Sequence, residues 1–280
     1  MPSYATVLLA ALAAGAVQAL PQSVDGLNLP TPSTRVPLST GVSEFSSGPS
    51  ASGDDAPPVP SVSLSPDEIL ELQTAPTAQD RFKALLTSDG ENLLEGDDLR
   101  ARTVFDFNAD PNDGNGGGIL KAANVGTFPI LTDLGLSVVM GFVNPCGINT
   151  PHIHPRATEF LTVVDGELDF GIILENGLTD EIRGTLGKNQ GAAFPVGSIH
   201  YQVNRKCFPS TFVAALNSED PGTSQIANNF FNLDPNVVNA TLGFPQQLDG
   251  KDIEAFRDSI PESLALGIEN CLADCGLMKN

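Results

Sequence analysis

The 280-residue sequence contains no tryptophan, only two tyrosines and few basic residues. Tyr4 and Tyr201 are too few to line the mouth of a binding site, so a protein that binds sugars or hormones is the least favoured reading. Lys and Arg number 14 against 34 Asp and Glu, which gives a formal net charge of -20. This charge balance argues against nucleic acid and anionic membrane surfaces as partners.

Histidine is also scarce, and all three histidines lie in two short segments bounded by Gly and Pro. His152 and His154 stand at positions i and i+2, so both imidazoles project to one face of an extended strand. Pro155 then interrupts pairing, and Glu159 can return a carboxylate toward the rings. With His200, these side chains suit manganese, iron, zinc or copper and leave room for water or substrate. The alternative is that the histidines are ordinary surface or strand-capping residues.

Both segments resemble the sequence motifs of germins and germin-like proteins, which are cupins. The stretch PHIHPRATEFLTVVDGEL looks like the first motif, whose fixed residues correspond to His152, His154, Glu159 and Gly166. The stretch FPVGSIHYQVN looks like the second motif, whose fixed residues correspond to Pro195, Gly197, His200 and Asn204. The resemblance covers roughly residues 100–235, and the secreted spherulin-like branch is nearer than the plant germins.

The resemblance implies a single cupin barrel, an all-β jelly roll (double-stranded β-helix), with flanking helices. It also implies manganese at His152, His154, Glu159 and His200, and oxidoreductase activity of the superoxide-dismutase or oxalate-oxidase type. The substrate would be a small molecule or an oxygen species. A C-terminal helical extension would clasp a neighbouring subunit, giving a homo-oligomeric dimer or hexamer, or it would pack on its own barrel.

Asn149 is the candidate catalytic residue, because it matches one of two asparagines that lie near the metal in oxalate-oxidising germins. It could donate a hydrogen bond to bound oxygen or to a carboxylate. Val139 occupies the position of the second asparagine. The sequence therefore argues against oxalate oxidation. The count of three histidines excludes a second metal-binding cupin barrel.

From about Thr103 onward, short apolar runs separated by Gly, Asn and Pro indicate an antiparallel barrel or sandwich. The loop 110–118 contains acidic residues, but it lacks the position-12 Glu of an EF-hand, which disfavours a calcium site. An edge strand is predicted at 226–231. The other predicted strands span 104–107, 126–132, 136–143, 159–164, 167–174, 182–186, 192–195, 199–203 and 211–217.

Helix signals lie on both sides of this region. Ser65, Pro66 and Glu68 form the signature of a capped helix start, and Pro76 separates that helix from a second one at 77–86. Ile69, Leu70 and Leu72 are expected to face inward from the first helix, and Phe82, Leu85 and Leu86 from the second. After the barrel, helices are predicted at 234–241, at 249–257, and from residue 259 or 262 to 272.

The domain organisation follows from these patterns. Residues 1–19 read as a secretory signal peptide with cleavage after Ala19, and residues 20–64 as a disordered Ser/Pro-rich linker or a propeptide. A helical N-terminal extension (65–100), the cupin barrel (101–235) and a C-terminal helical extension (236–280) follow. The mature chain is expected to be extracellular or wall-associated.

The chain contains four cysteines, Cys146, Cys207, Cys271 and Cys275. An even number in a secreted chain predicts two disulfides, with three possible pairings. Because a bridge within a regular helix is strained, Cys271 and Cys275 are each expected to reach elsewhere. The alternative for Cys146 is a thiol with a copper or redox role. Asn239-Ala-Thr241 is an N-glycosylation sequon.

A second functional hypothesis belongs to a different class of protein. The chain could be a non-catalytic wall or spore-coat protein, in which the metal and the disulfides stiffen a stable shell. A structural metal site would be closed by its protein ligands, whereas an enzyme needs an open coordination position lined by polar groups.

Overall fold

The computed structural model describes residues 59–60, 63–110, 114, 116–178, 180–243, 260–261, 264–267 and 269–277. The predicted signal peptide, nearly all of the predicted linker, residues 111–113 and 115 of the acidic loop and the predicted helix 249–257 lie outside the described residues. Within the described ranges, no helix has the length and apolar character that crossing a membrane requires.

The predicted capped helix is confirmed as α1, Pro66–Thr74. The Ser65 hydroxyl accepts a hydrogen bond from the Glu68 backbone N–H, and the Glu68 carboxylate accepts one from the Ser65 N–H, at 2.7 Å. Of the three residues expected to face inward, Leu72 is buried, whereas Ile69 and Leu70 are exposed. The helix packs mainly against α2, which covers only part of its apolar face.

Two further helices precede the barrel. The second predicted helix is α2, Ala78–Leu86, which begins after its N-cap Thr77; Leu85 is buried, but Phe82 is 38% exposed. The helix α3, Gly96–Thr103, has no buried residue and was not predicted, because it lacks an apolar stripe. The predicted strand 104–107 is wrong. There, Phe105 packs against other phenylalanine rings instead of pairing in a sheet.

The expected all-β cupin barrel is confirmed as two packed antiparallel sheets. One sheet has the order β1-β2-β9-β4-β7, and the other has the order β10-β3-β8-β5-β6 with β11 also paired to β3. The strands are β1 Gly118–Ala123, β2 Ser137–Val143, β3 Gly147–Ile153, β4 Glu159–Asp165, β5 Glu167–Ile173, β6 Ile182–Gly187, β7 Gly191–Phe194, β8 Ile199–Val203, β9 Ser210–Leu216, β10 Ser224–Gln225 and β11 Leu264–Leu266.

The core lies between the sheets and follows the period-2 alternation of the strands. In β4, Glu159, Leu161 and Val163 point inward, whereas Phe160 points outward and is 54% exposed. Burying each large apolar side chain contributes about 1.5–3 kcal/mol relative to leaving it exposed. Glu159 therefore points inward on the same face as the core residues Leu161 and Val163, although its side chain is polar. The core cluster comprises Val143, Ala157, Leu161, Val163, Leu168, Ile172, Leu186, Phe194, Phe212, Ala214 and Leu216.

Some predicted strands are wrong, and several observed strands, β1, β10 and β11 among them, were not predicted. Residues 126–132 form a turn and a 3-10 helix, Pro129–Leu131, because Gly126 and Pro129 interrupt the apolar run. Residues 226–231 form the helix α4, Ile226–Phe231, and it is the preceding β10 that pairs with β3. The strand β1 was not predicted, because it directly follows a Gly-rich loop. The predicted helix after Asp234 is confirmed as α5, Pro235–Thr241.

The predicted last helix is largely wrong. Leu264–Leu266 forms β11, and only the shorter helix α6, Glu269–Asp274, follows it. Pairing to β3 provides backbone hydrogen bonds to a stretch whose apolar spacing also fits a helix.

Two disulfides are present, as predicted. Cys146 is bonded to Cys271 and Cys207 to Cys275, with Cα separations of 5.6 and 5.3 Å. The alternative of a Cys146 thiol is therefore wrong. Both bridges attach the α6 segment to turns of the barrel, because Cys146 lies between β2 and β3 and Cys207 between β8 and β9.

Candidate metal centre

The four predicted ligands come together inside the barrel. Nitrogen or oxygen atoms of His152, His154, Glu159 and His200 all lie within 4.8 Å of one another. Their exposed fractions are 3, 7, 4 and 1%, so all four are shielded from bulk water. Such close packing of four polar side chains in a core needs compensation, because unpaired buried polar groups are costly.

Neighbouring strands place these side chains. His152 on β3 pairs directly with His200 on β8. The β3 register shifts between Asn149 and His152, so two residues three positions apart are both buried on the inner face. Such irregularities commonly re-aim side chains next to functional sites. After β3 the chain turns, and Glu159 enters as the first residue of β4.

Each imidazole is oriented by a backbone carbonyl. The Nδ1 atoms of His152, His154 and His200 lie 2.7, 2.6 and 3.0 Å from the carbonyl oxygens of Thr150, Gly222 and Ser198, respectively. A carbonyl oxygen can only accept, so each Nδ1 carries a hydrogen and donates it. In the neutral rings, the Nε2 atoms therefore carry the lone pairs. A hydrogen bond from the other ring nitrogen to a backbone carbonyl is typical of metal-binding histidines.

Electrostatics couples Glu159 to the imidazoles. The His154 Nε2 lies 2.9 Å from a Glu159 carboxylate oxygen, and the His200 Nε2 lies 3.6 Å from the same oxygen. Burial opposes the charge on Glu159, but the hydrogen bond from His154 and the electrostatic interactions with His154 and His200 outweigh burial and lower the pKa of Glu159 to about 2. The carboxylate is therefore ionised at neutral pH.

The histidines differ in proton affinity. Burial, together with the neighbouring His200, lowers the pKa of His152 to about 4. Burial also opposes protonation of His154, but its hydrogen bonds to Glu159 and Gly222 outweigh burial and raise the pKa of His154 above 6.5. Without a metal, a proton on His154 bridges to Glu159.

The donor set fits a transition metal. Among the described residues, the His200 Nε2 is buried without a hydrogen-bond partner. A cation at the centre of the cluster would satisfy that lone pair and would replace the proton between His154 and Glu159. Three imidazole nitrogens and one carboxylate oxygen suit manganese, iron, zinc or copper.

A cavity of about 120 Å³ adjoins the cluster. His152, His154, Glu159 and Asn149 border it on one side, and its other walls are mainly apolar, including Val139. The space is large enough for several water molecules or a small ligand. The remaining residues around the cavity are Leu120, Ala122, Phe212, Ala214, Thr223 and Gln225.

Sequence reasoning missed several residues that support the cluster. The Phe194 ring stacks on the His200 ring, with centroids 4.5 Å apart and planes 10° apart. Arg156 bonds the carbonyl and the carboxylate of Asp220, at 2.7 and 2.8 Å, in the loop whose Gly222 carbonyl orients His154. Among the described residues the Gln202 side chain donates no hydrogen bond, but its Oε1 accepts one from Asn149. Phe194, Arg156 and Gln202 lie within the two histidine motifs, but the partners of Arg156 and Gln202 lie in other segments, and spacing alone gave no signal for these contacts.

The comparisons with known proteins agree with this geometry. The cupin family profile matches residues 107–251. Spherulin-1A of Physarum polycephalum is 33% identical over 221 residues, which are 78% of this chain and 82% of that protein. Germin-like protein 1-3 of Oryza sativa subsp. japonica is 39% identical over 147 residues, or 52% of this chain and 65% of the relative.

A solved structure, recombinant oxalate oxidase in complex with glycolate, has a TM-score of 0.50 at 23% identity, covering 62% of this chain and 92% of that chain. At this identity, the likeness shows the fold alone. The similarity to spherulins and germin-like proteins, expected from the two histidine motifs, is confirmed. The chain belongs to the cupin family.

Proposed function

We propose that this cupin is a secreted manganese-dependent oxidoreductase that acts on a small oxygen species or a small oxygenated substrate. The proposed metal ligands are His152, His154, Glu159 and His200. Superoxide dismutation is favoured over oxalate oxidation. When bound, manganese would supply a centre that can cycle between two oxidation states.

One observation carries the proposal: three imidazoles that donate their Nδ1 hydrogens outward surround one ionised carboxylate. All four ligand atoms lie within 4.8 Å of one another. An ordinary buried polar cluster would leave lone pairs facing each other without compensation, at a cost in stability. The arrangement is explained if a cation satisfies them.

The adjoining cavity supports a catalytic role for the site. Asn149 borders this space and is 5% exposed, so its amide can contact a small ligand beside the metal ligands. Val139 borders the same space. It presents a hydrocarbon surface that cannot bond a second carboxylate. The cavity therefore favours a ligand with one polar end over a dicarboxylate such as oxalate.

Secretion is supported by the two disulfides, which persist in oxidising compartments, and by the predicted signal peptide at residues 1–19. A homo-oligomer is supported by an apolar patch on the outer face of the five-stranded sheet, where Leu136, Phe160 and Ala215 lie together around a shallow depression. Size-exclusion chromatography with light scattering would measure the assembly.

The experiment that tests the function measures metal content and superoxide turnover on the same secreted sample. We expect about one manganese per chain and turnover in the original protein. His154→Ala should lower metal affinity by more than about 100-fold, because loss of an outer-shell partner alone costs about 10- to 100-fold.

Glu175→Gln is the matched control for a companion variant, Glu159→Gln. Glu175 is an exposed carboxylate in the turn between β5 and β6, whereas Glu159 is buried in the cluster. The control should keep both metal and turnover, and Glu159→Gln should lose both. Unchanged metal content in His154→Ala and Glu159→Gln would overturn the ligand assignment.

A second candidate function is a non-catalytic wall or spore-coat protein stiffened by its metal. The two disulfides that fasten the C-terminal segment to the barrel favour it. The two functions differ in ligand access, because a structural site has no exchangeable position. Manganese that resists chelation and supports no superoxide or oxalate turnover would favour the structural role.

A further inference from the structure

The two disulfides lie side by side where α6 is attached to the barrel. The Cys271 Sγ lies 4.0 Å from the Cys275 Sγ, although these sulfurs belong to different bridges. The sulfurs of Cys146, Cys271 and Cys275 all lie within 4.8 Å of one another. The chain has four cysteines, so the two bridges contain all of them. A thiolate formed at Cys275 would therefore stand next to the bridge between Cys146 and Cys271.

The two bridges differ in their exposure to solvent. Cys146 and Cys271 are 0 and 8% exposed, whereas Cys207 is exposed and Cys275 is half-buried. Thiol–disulfide exchange depends on the access of the attacking thiolate to a disulfide sulfur. A reductant in solution can therefore attack Cys207, while the barrel shields the other bridge. The buried bridge is best reached from inside the protein, through Cys275.

The α6 segment holds the two adjacent sulfurs one helical turn apart. The Cys275 N–H donates a hydrogen bond of 2.9 Å to the Cys271 carbonyl. Cα atoms four positions apart in a helical turn are about 6 Å apart, which is within the range that a disulfide spans. Cys275 directly follows the last residue of α6, Asp274, so a bridge between the two cysteines would lie at the helix end. Once the bond to Cys207 is broken, rotation of the Cys275 side chain can bring its sulfur onto Cys271.

We propose that the two disulfides form a redox-sensitive relay, in which a single two-electron reduction by a dithiol detaches the C-terminal segment, from β11 to α6, at both of its covalent attachments to the barrel. One thiolate of the dithiol attacks the Cys207 Sγ, and the bond between Cys207 and Cys275 breaks with its electron pair on Cys275. The second thiol of the dithiol then displaces Cys207, which leaves as a thiol, and the dithiol is oxidised to its cyclic disulfide.

The second step needs no further electrons. The Cys275 thiolate attacks the Cys271 Sγ, a bond forms between Cys271 and Cys275, and the electron pair of the broken bond leaves on Cys146. The two protons of the dithiol end on Cys146 and Cys207, so Cys146 is a thiol only in the reduced protein. The number of protein disulfides falls from two to one, and the one that remains lies within the C-terminal segment.

Detachment should loosen the edge of β3. Cys146 directly precedes β3, and its carbonyl accepts a hydrogen bond from the N–H of Gly267, which follows β11. The strand β11 has three residues, so without the bridges it is held only by a short pairing and a few buried side chains. Segments with few buried contacts open at a low cost in free energy, so the β11 amides should exchange with solvent faster after reduction. The inference concerns the C-terminal segment and does not rest on the proposed metal or turnover.

The first test compares two single variants without any reductant. Cys207→Ser leaves a thiol at Cys275, next to the buried bridge, whereas Cys275→Ser, the matched control, leaves a thiol at Cys207 on the exposed turn. Each variant is incubated at mildly alkaline pH, exchange is stopped with acid, and the chain is unfolded and alkylated. Peptide mass spectrometry then locates the label. Label on Cys146 should be at least about 10-fold greater in Cys207→Ser than in the control. Label confined to Cys275 in Cys207→Ser would overturn the proposal.

The second test uses the original protein and one equivalent of dithiothreitol, so it does not depend on the folding of a variant. The relay predicts alkylated Cys146 and Cys207, a surviving bridge between Cys271 and Cys275, and hydrogen exchange of β11 that is at least about 10-fold faster. Trypsin leaves Cys271 and Cys275 in one peptide, because no Lys or Arg stands between them, so the mass of that peptide identifies the surviving bridge. Alkylated Cys207 and Cys275, with Cys146 still bonded to Cys271, would contradict the relay.

Discussion

Along the edge of β3 that does not face β8, the two halves of the strand pair with different partners. The second half, which carries His152, pairs with β10, directly after the loop that follows β9. The first half, which carries Gly147 and Asn149, pairs with β11 near the C-terminus. The short histidine motif therefore supplies the polar side chains of the second half. The first half instead pairs with a distant C-terminal segment, which two disulfides attach to the barrel.

The two halves of β3 are stabilised by different interactions. Around His152, polar side chains are held by hydrogen bonds to nearby carbonyls and by one ionised carboxylate. Around Gly147, the backbone of β11 approaches closely, and Gly267 donates to the Cys146 carbonyl at 2.5 Å. The metal half should thus respond to pH and metal, and the C-terminal half to reduction of the disulfides.

The largest expected effect is on the C-terminal half. Replacing Cys146 and Cys271 by serine, or Cys207 and Cys275 by serine, should lower the free energy of unfolding by about 2–5 kcal/mol per bridge. The first bridge should matter slightly more, because it spans 125 residues and the second spans 68. Urea unfolding measures the change. The amount of metal bound per folded chain should be retained. Loss of metal in either variant would show that the disulfides also stabilise the metal site.

The next effect concerns the pH dependence of metal binding. The pKa of His154 is raised in the metal-free protein, so its proton competes with the metal below that pKa. Metal affinity should fall about tenfold for each pH unit below it and level off above it. His152, with a pKa of about 4, should not compete above pH 5. Titration with manganese between pH 5 and 8 measures this, and a flat profile would argue against metal-for-proton exchange.

A smaller effect is expected at Arg156, which fastens the loop carrying the carbonyl that orients His154. Arg156→Gln should weaken manganese binding about tenfold, at the lower end for outer-shell partners, because the ion pair with Asp220 is solvent-exposed. Arg183→Gln on β6, which removes the ion pair between the exposed Arg183 and Glu181, is the control and should leave affinity unchanged. Equal effects would exclude a specific role for the loop.

The smallest effect is expected at Leu266, the last residue of β11, and Leu264 of the same strand serves as the contrast. Leu266 is 45% exposed, so Leu266→Ser should change the free energy of unfolding by at most about 0.5 kcal/mol. Leu264 is 2% exposed, and Leu264→Ala should cost about 2–5 kcal/mol. Thermal unfolding of both variants checks the contrast. Similar costs would mean that β11 is held differently from its described pairing.

Much of the barrel could be predicted from the sequence because its signals are local. The alternation Glu159, Leu161, Val163 marks β4, and the spacing of the histidines marks the site. Signals of this kind need no knowledge of distant residues. The capped helix after Ser65 was predictable for the same reason, since its hydrogen bonds join residues three positions apart.

The remainder could not be predicted, because its conformation depends on partners far along the chain. Leu264–Leu266 forms a strand only because the edge of β3 is available, and its apolar spacing also fits a helix. The Gly222 carbonyl that orients His154 and the Gln202 amide that holds Asn149 belong to no short motif with their partners. The four predicted ligands were thus accessible from sequence, whereas the orienting groups that come from distant segments were not.

Anomalous diffraction at the manganese edge, from crystals of the full chain grown with manganese, would locate the metal. We expect a peak among the Nε2 atoms of the three histidines and the Glu159 carboxylate, with about one manganese per chain. In Glu159→Gln crystals, that peak should be lost or strongly reduced. A manganese-loaded crystal with no peak inside this cluster would mean that His152, His154, Glu159 and His200 do not hold the metal.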